Sequence, residues 1–291
     1  MANLFDHLGN SWLGWLVATL LLVVITGKTL PFSWHIRVIL GYVNYRYFEP
    51  RGSYAPERGD GSVSVFLPSV YTTSTSPGDL DYTLHKSNST YLADLDLARG
   101  RHFYGLFRVG LEKYSKQGTS VFPALGAVSC TFKKEIRPFA KVRIWTRVLA
   151  WDDKWIYLIS HFTKAHRIVD TVSNRPSYSA KPLTANAATP QSAVYATCIS
   201  KQVVKQGRKT IQPVEFLAAC GLLPHESTDD GTSALLDDAR ASPNRPASRN
   251  WTARRIEERR CRGLALAKHV AALDEGLAWF SETQDAPFAM Y

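Results

Sequence analysis

The chain has 291 residues, 45% of them hydrophobic, and 35 Lys and Arg against 25 Asp and Glu give it a formal charge of +10. That is ample apolar content for one good-sized core with appendages, and the basic balance admits nucleic acid, anionic lipid or an acidic carrier protein as partners. No zinc-finger spacing, ribonucleoprotein aromatic motif or helix-turn-helix pattern accompanies the charge, so nucleic acid is excluded as an expected partner. The four cysteines, Cys130, Cys198, Cys220 and Cys261, are dispersed without a CxxC pair or metal-like spacing to histidine. They read as small buried apolar residues in a reducing compartment, and no metal or cofactor is expected.

The first element is an uncharged run from Trp12 to Gly27, WLGWLVATLLLVVITG, closed by Lys28. Sixteen helical residues span about 24 Å, near the thickness of a thin hydrocarbon core. No basic segment precedes the run and no small-residue cleavage site follows it, which favours an uncleaved single-pass anchor over a signal peptide. Lys28, Arg37 and Arg46 follow it while only Asp6 and His7 precede it, so the charge bias orients the C-terminal body to the cytosol, with the endoplasmic reticulum as the expected membrane. The next segment, SWHIRVILGYVNYRYF, fits a helix lying at the membrane interface or one packed on the domain.

Val63, Val65 and Leu67 alternate with Ser62, Ser64 and Phe66, which predicts a first strand. A polar segment then leads through the turn Asp79 to His85 into a helix predicted from Asn88 to Lys116, with Tyr91, Leu95, Ala98, His102, Leu106 and Val109 on one face. Gly100, Gly105 and Gly110 inside it predict close backbone approach to neighbouring strands. Period-two patterns at Val128–Phe132 and Val142–Val148, and a partner from Trp155 to Thr163 beyond the tight turn Trp151-Asp152-Asp153-Lys154, read as strands. A surface insertion from Asn174 to Gln191, a strand from Ala193 to Lys205, a turn at Gln206 to Lys209 and a short helix from Pro213 to Gly221 follow. The expected division is an anchor at 1–30, a domain at 31–222, a mobile linker at 223–250 and a C-terminal helix within 251–291, docked by Leu266, Val270, Leu273, Leu277 and Phe280.

Chemistry concentrates in GDLDYTLHKSNSTYLADLDLAR, Gly78 to Arg99. Asp79, Asp81 and His85 fall in the turn, and Ser87 or Asn88 suits the N-cap of the helix that follows. The first amides of that helix have no intrahelical partners and suit a carbonyl oxygen gaining negative charge. Equally, the aspartates fit turn-stabilising Asx roles, His85 a loop histidine, and Ser87 with Asn88 a cap only. His102 and His161 fit core packing, as do Trp151, Trp155 and Tyr157, which also suit the lining of an acyl tunnel.

One strand, a buried helix and then antiparallel strands is the order of the hotdog fold, an α+β architecture in which a curled sheet wraps a long helix. DLDYTLHKSNSTYLADLDLAR resembles the D-x-D-x-x-x-H-x-N-N-x-x-Y signature of hotdog thioesterases, among them plant acyl-carrier-protein and 4-hydroxybenzoyl-CoA types. Together with FKKEIRPFAKVRIWTRVLAWDDKWIYLISHFT, Phe132 to Thr163, it is similar to the group around thioesterase superfamily member six, including fungal relatives associated with polyketide and lipopeptide clusters. The resemblance covers about Pro31 to Gly221 and implies Asp81 as nucleophile or general base, His85 as orienting or polarising group and Asn88 at the helix entry. It also implies that Ser87 and Tyr91 face the substrate. Ser87 stands where the pattern has its first asparagine, Lys86 where it has an apolar residue, and Thr83 where plant enzymes carry a catalytic asparagine.

A thioester is an activated acyl group, so a carboxylate, a placed water and oxyanion donors suffice to cleave it, and no GxSxG elbow is present. The expected activity is hydrolysis of an acyl or polyketide thioester of coenzyme A or an acyl-carrier protein, in fungal secondary metabolism by resemblance, by a homodimer. A hotdog module that binds without turnover, and a hydroxyacyl-thioester dehydratase, are the alternatives. Asn88-Ser89-Thr90 and Asn250-Trp251-Thr252 match the N-glycosylation pattern, and a cytosolic domain would leave both unmodified.

Overall fold

A computed structural model of the chain describes residues 12–48, 65–118, 120–165, 194–223 and 253–272. Its centre is an antiparallel sheet of six strands: β1 (Ser69–Ser74), β2 (Val121–Phe132), β3 (Lys141–Trp151), β4 (Ile156–Lys164), β5 (Val194–Gln206) and β6 (Lys209–Ile211). Their spatial order is β1-β3-β4-β5-β2, with β6 paired to the end of β5. The strands form where the sequence alternates. In β3, Val142, Ile144, Thr146, Val148 and Ala150 are buried while Arg143, Trp145 and Arg147 are only half-buried. Thr146 is tolerated among apolar neighbours because its hydroxyl meets that of Ser160 on β4 at 2.9 Å. The β3–β4 hairpin turns on Asp152, whose Oδ1 accepts the amides of Lys154 at 2.8 Å and Trp155 at 2.6 Å.

The helices are α1 (Trp12–Thr26), α2 (Ser33–Val43), α3 (Asn88–Leu106), α4 (Arg108–Lys116), α5 (Pro213–Ala219) and α6 (Ala253–Ala271). The inner face of the sheet packs on α3. Tyr91, Leu95 and Ala98 meet Ile144, Phe162 and Cys198 at one end, while Phe103 and Phe107 meet Val148, Leu158 and Phe216 at the other. Each fully buried phenylalanine or leucine here contributes about 1.5–3 kcal/mol relative to exposure. His102 is wholly buried, its Nδ1 3.0 Å from Ser69 Oγ, and burial holds its pKa down at about 3, so it is a neutral core residue. Trp151 stacks on Phe66 in the same core, Tyr157 donates to Asp152 Oδ2 at 2.8 Å, and Trp155 lies over Gly126, so these rings pack the sheet. His161 sits in β4 with Nδ1 3.2 Å from Thr197 Oγ1, and burial lowers its pKa.

Four expectations change. The first strand begins at Ser69, not near Val63: Val65 and Phe66 are both buried, in a turn, so they plug the core consecutively and do not alternate across a ladder, and Pro68 brings no amide donor. Val63 lies outside the described residues. The predicted helix to Lys116 breaks at Phe107, whose φ of −96° and ψ of 13° leave the helical well. The break lets α4 lie against α5, where a Cβ on Gly110 would stand 2.4 Å from Cys220 Sγ; Gly100, by contrast, faces open space. The third change is in α6, which docks not by a stripe that includes Leu266, which is exposed, but by Ile256, Gly263, Ala267 and Val270. A Cβ on Gly263 would stand 2.2 Å from the Leu149 carbonyl oxygen, so small residues decide which side of α6 reaches β3. Leu273, Leu277 and Phe280, the insertion at Asn174 to Gln191 and the linker lie outside the described residues.

The fourth change concerns the N-terminus. No single helix among the described residues is long and apolar enough to cross a membrane; a pair, Gly14–Thr29 and Ser33–Val43, passes that test only together and is bent by 68°. The bend falls at the break between Thr29 and Ser33, where Phe32 has a left-handed φ of 63°.

Candidate active site

The segment between β1 and α3 folds as two consecutive tight turns. Pro77–Asp79 forms one helical turn capped by Ser76, whose amide and hydroxyl both donate to Asp79 Oδ2, at 2.8 and 3.2 Å. Next, Asp81 N–H donates to the His85 carbonyl at 2.9 Å and Leu84 N–H to the Asp81 carbonyl at 3.0 Å, with Leu80 bridged to Lys86. Leu84 sits at a φ of 59°, a left-handed conformation that costs a non-glycine residue about 1–2 kcal/mol. The turn is then tied to the domain. Lys86 N–H donates to the Ile136 carbonyl at 2.9 Å and Ser87 N–H to the Asp79 carbonyl at 2.8 Å.

Asp81 is presented outward by this turn. Its Oδ1 accepts the Thr83 hydroxyl at 2.5 Å and the Thr83 amide at 2.9 Å, and the His85 amide lies 3.4 Å away. The Thr83 hydroxyl foremost, against the opposing effect of burial and with help from the two amides and His85, holds the Asp81 carboxyl below the usual range. It is therefore a carboxylate at neutral pH, and among the described residues none engages its Oδ2. His85 Nδ1 lies 3.4 Å from the Thr83 hydroxyl and Nε2 3.2 Å from Glu135 Oε2, in the connection between β2 and β3. Thr83 thus stands between Asp81 and His85. Removing its hydroxyl in Thr83→Val is expected to move the acid limb of the pH–rate profile upward, because the charged form of Asp81 loses its strongest donor. A limb that stays in place in kcat/KM measured from pH 3 to 7 would show that Asp81 is not the titrating base.

Ser87 occupies the N-cap position with φ −59° and ψ 138°, but its side chain makes no capping bond and meets Ser89 Oγ at 3.0 Å instead. Asn88 is the first helical residue and is exposed. The cap side chain takes none of the first-turn amides; that of Thr90 donates to the Ser87 carbonyl at 3.0 Å, which leaves those of Asn88 and Ser89 as the ones a ligand's carbonyl oxygen can meet. Asp81 and His85 share one turn, which runs through Lys86 and Ser87 into this helix start. Tyr91 is not at that surface: it is buried, its ring against Phe132 and Phe162 at 5.0 and 4.9 Å, and burial pushes its phenol pKa up.

Beneath the turn lies a buried ionic cluster absent from the sequence reading. Asp94 of α3 and Asp79 face Lys28, Lys86 and Arg37: Lys28 Nζ is 2.8 Å from each carboxylate, Lys86 Nζ 3.0 Å from Asp94 and 3.7 Å from Asp79, and Arg37 3.6 Å from Asp94. Burial alone would raise the Asp79 pKa, but the Lys28 and Ser76 hydrogen bonds and the two lysine charges more than offset it and leave it lowered. For Lys86, burial lowers the pKa against the pull of Asp94. Lys86, a departure from the family pattern, is thus a structural partner. One signal was available: Asp94 sits one turn after Tyr91 on the apolar face of the helix. A crevice of about 120 Å³ between α2 and α3, bordered by Arg37, Tyr42, Tyr71 and Tyr104, does not reach Asp81.

An antiparallel sheet of this order on one long helix, with a carboxylate turn at the helix entry, defines a protein of the hotdog class. Residues 75–218 match the Thioesterase-like superfamily. The chain is similar to the thioesterase poxG of Penicillium oxalicum, 33% identical over 272 residues that cover 90% of this chain and 85% of that one. It is also similar to protein THEM6 of Xenopus laevis, 37% identical over 90 residues, 30% of this chain and 40% of that protein. The 1,4-dihydroxy-2-naphthoyl-CoA thioesterase of Synechocystis superposes with a TM-score of 0.37 at 11% identity, covering 53% of this chain and 95% of that one. The chain belongs to the thioesterase-like superfamily.

Proposed function

We propose that this thioester hydrolase cleaves an acyl or polyketide thioester of coenzyme A or of an acyl-carrier protein, in fungal secondary metabolism, with Asp81 as its base or nucleophile. The observation that carries this is the Asp81 carboxylate, held ionised through Oδ1 and open on Oδ2 in the turn that leads into α3. As a base, Asp81 takes a proton from water, whose oxygen attacks the thioester carbonyl. The carbonyl oxygen gains negative charge at the amides after Ser87, with His85 orienting the water or polarising the carbonyl. The C–S bond then breaks, and the thiolate leaves with the proton as free thiol. As a nucleophile, Asp81 attacks the carbonyl itself, the C–S bond breaks and the thiolate leaves, taking a proton from solvent, and water then cleaves the resulting anhydride to the free acid and the Asp81 carboxylate.

A thiol-release assay on the full chain in detergent, against acyl-CoAs and loaded carrier proteins, tests this reading. Free thiol supports it. A dehydrated product still in thioester linkage would replace it with the dehydratase, and binding without either product with the non-catalytic module.

The same reading includes a second copy of the chain and a membrane. β2, 12 residues long, ends the sheet and exposes Phe122, Leu125 and Phe132, an edge that a second copy would cover. Sedimentation as a monomer at high concentration would count against the dimer. The exposed apolar helices α1 and α2 support anchorage through the bent pair, with the domain in the cytosol. A glycosidase-sensitive gel shift abolished by Asn88→Gln would overturn that orientation.

A further inference from the structure

The site proposed above is held by a residue far from it in sequence, Lys28, at the junction of the two apolar helices. Its ammonium has three donors, and all three are used: Asp79 Oδ2 at 2.8 Å, Asp94 Oδ2 at 2.8 Å and the Ser74 carbonyl at 3.0 Å. These acceptors belong to the turn before the site, to the central helix and to the end of β1. Asp79 passes the constraint on through its main chain, since its carbonyl accepts the Ser87 amide at 2.8 Å and the Thr90 hydroxyl at 3.2 Å, and Asp81 follows two residues later.

A second contact fixes the same junction independently. A Cβ on Gly78 would stand 2.1 Å from Thr29 Oγ1 and 2.7 Å from Thr29 Cβ, so the N-terminal connection lies directly on the Pro77–Asp79 turn. Lys86 also faces both carboxylates and Arg37 faces Asp94, but Lys86 comes from within the turn itself. Lys28 and Arg37 bring the N-terminal helices to the cluster, and of these Lys28 alone is within hydrogen-bond distance of both carboxylates.

We infer that Lys28 is a positioning residue for the reaction: it joins Asp79 to Asp94 and so holds the Asp81 turn in register with the start of α3. The N-terminal helix pair is on this account part of the catalytic framework as well as an apolar appendage. A chain begun at Phe32 would lack the clamp and leave Asp79 and Asp94 facing only Lys86 and Arg37. The inference rests on the Asp81 site proposed above.

The test uses the full chain in detergent with Lys28→Met and, as the milder change, Lys28→Arg, whose planar fork cannot meet three acceptors arranged for a compact ammonium. Misplacing the base should lower kcat by at least about tenfold in Lys28→Met while KM changes by less than about twofold, with Lys28→Arg between it and wild type. Hydrogen exchange supplies a readout independent of turnover. Amides in Leu80–Ser89 should exchange at least about tenfold faster in Lys28→Met, while those of β4 and β5 keep their rates. Unchanged exchange in that turn, or a rise spread evenly over turn and sheet, would overturn the positioning role. So would wild-type kcat in both variants. If wild type releases no thiol from any substrate, the proposed function fails, and the exchange comparison still decides whether Lys28 holds the turn.

Discussion

Asp81→Asn is expected to lower turnover by at least about a hundredfold, the scale of lost general-base catalysis, with substrate binding retained. The fold should be indifferent to the change. The amide oxygen of asparagine can still accept from the Thr83 amide and hydroxyl, so the turn that presents residue 81 keeps its hydrogen bonds. What disappears is the negative charge that the proposed mechanism uses to accept the proton of water or to attack the carbonyl. Thiol release and a melting curve on the same preparation separate the two quantities. Wild-type kcat in Asp81→Asn would remove Asp81 from the mechanism. His85→Ala should cost less, about tenfold, because solvent can take over part of an orienting role.

Asp94→Asn is expected to destabilise the chain by about 3–5 kcal/mol, because it leaves buried lysine charge without its counter-ion. The side chains of Asp94 and Lys86 are each 1% exposed, so water cannot replace the lost partner. In Asp94→Asn, Lys28 and Lys86 would share Asp79 alone, and Arg37 would lose its carboxylate partner in the cluster. Urea unfolding of the full chain in detergent measures the loss, and a change below about 1 kcal/mol would mean the cluster is solvated like a surface pair. The same cluster predicts a direction with pH. The folded-state pKa of Asp79 is lowered, so its contribution is present above the unfolded carboxyl value, about 3.9, and disappears as pH falls through the lower folded one. Acid should therefore weaken the wild type at this cluster.

The Asp81 turn could be read from the sequence because its contacts are short-range. Asp81 meets Thr83 and His85, two and four residues away, and Ser87 begins the helix that the apolar pattern announces. The β3–β4 hairpin was legible for the same reason, since Asp152 caps its own turn and Val142, Ile144 and Val148 repeat at the strand period. Where two local signals competed, the stronger packing decided. Leu266 advertised the docking face of α6, but Gly263 allows the helix backbone onto Leu149, and that close approach leaves Leu266 exposed.

By itself the sequence determined the strand period of β3, β4 and β5, the burial of the central helix, the carboxylate turn at its entry and, through their spacing, the resemblance to hotdog thioesterases. Only the tertiary structure decided that Lys28 meets Asp79 and Asp94, residues 51 and 66 positions away, and that the helix after Asn88 breaks at Phe107. Hydrophobic periodicity encodes which side of an element is buried, but it carries no label for the partner of a buried charge. Lys28 looked like the end of an apolar run because nothing in its neighbourhood is acidic; its counter-ions arrive only when β1, the turn and α3 are brought onto the same end of the sheet.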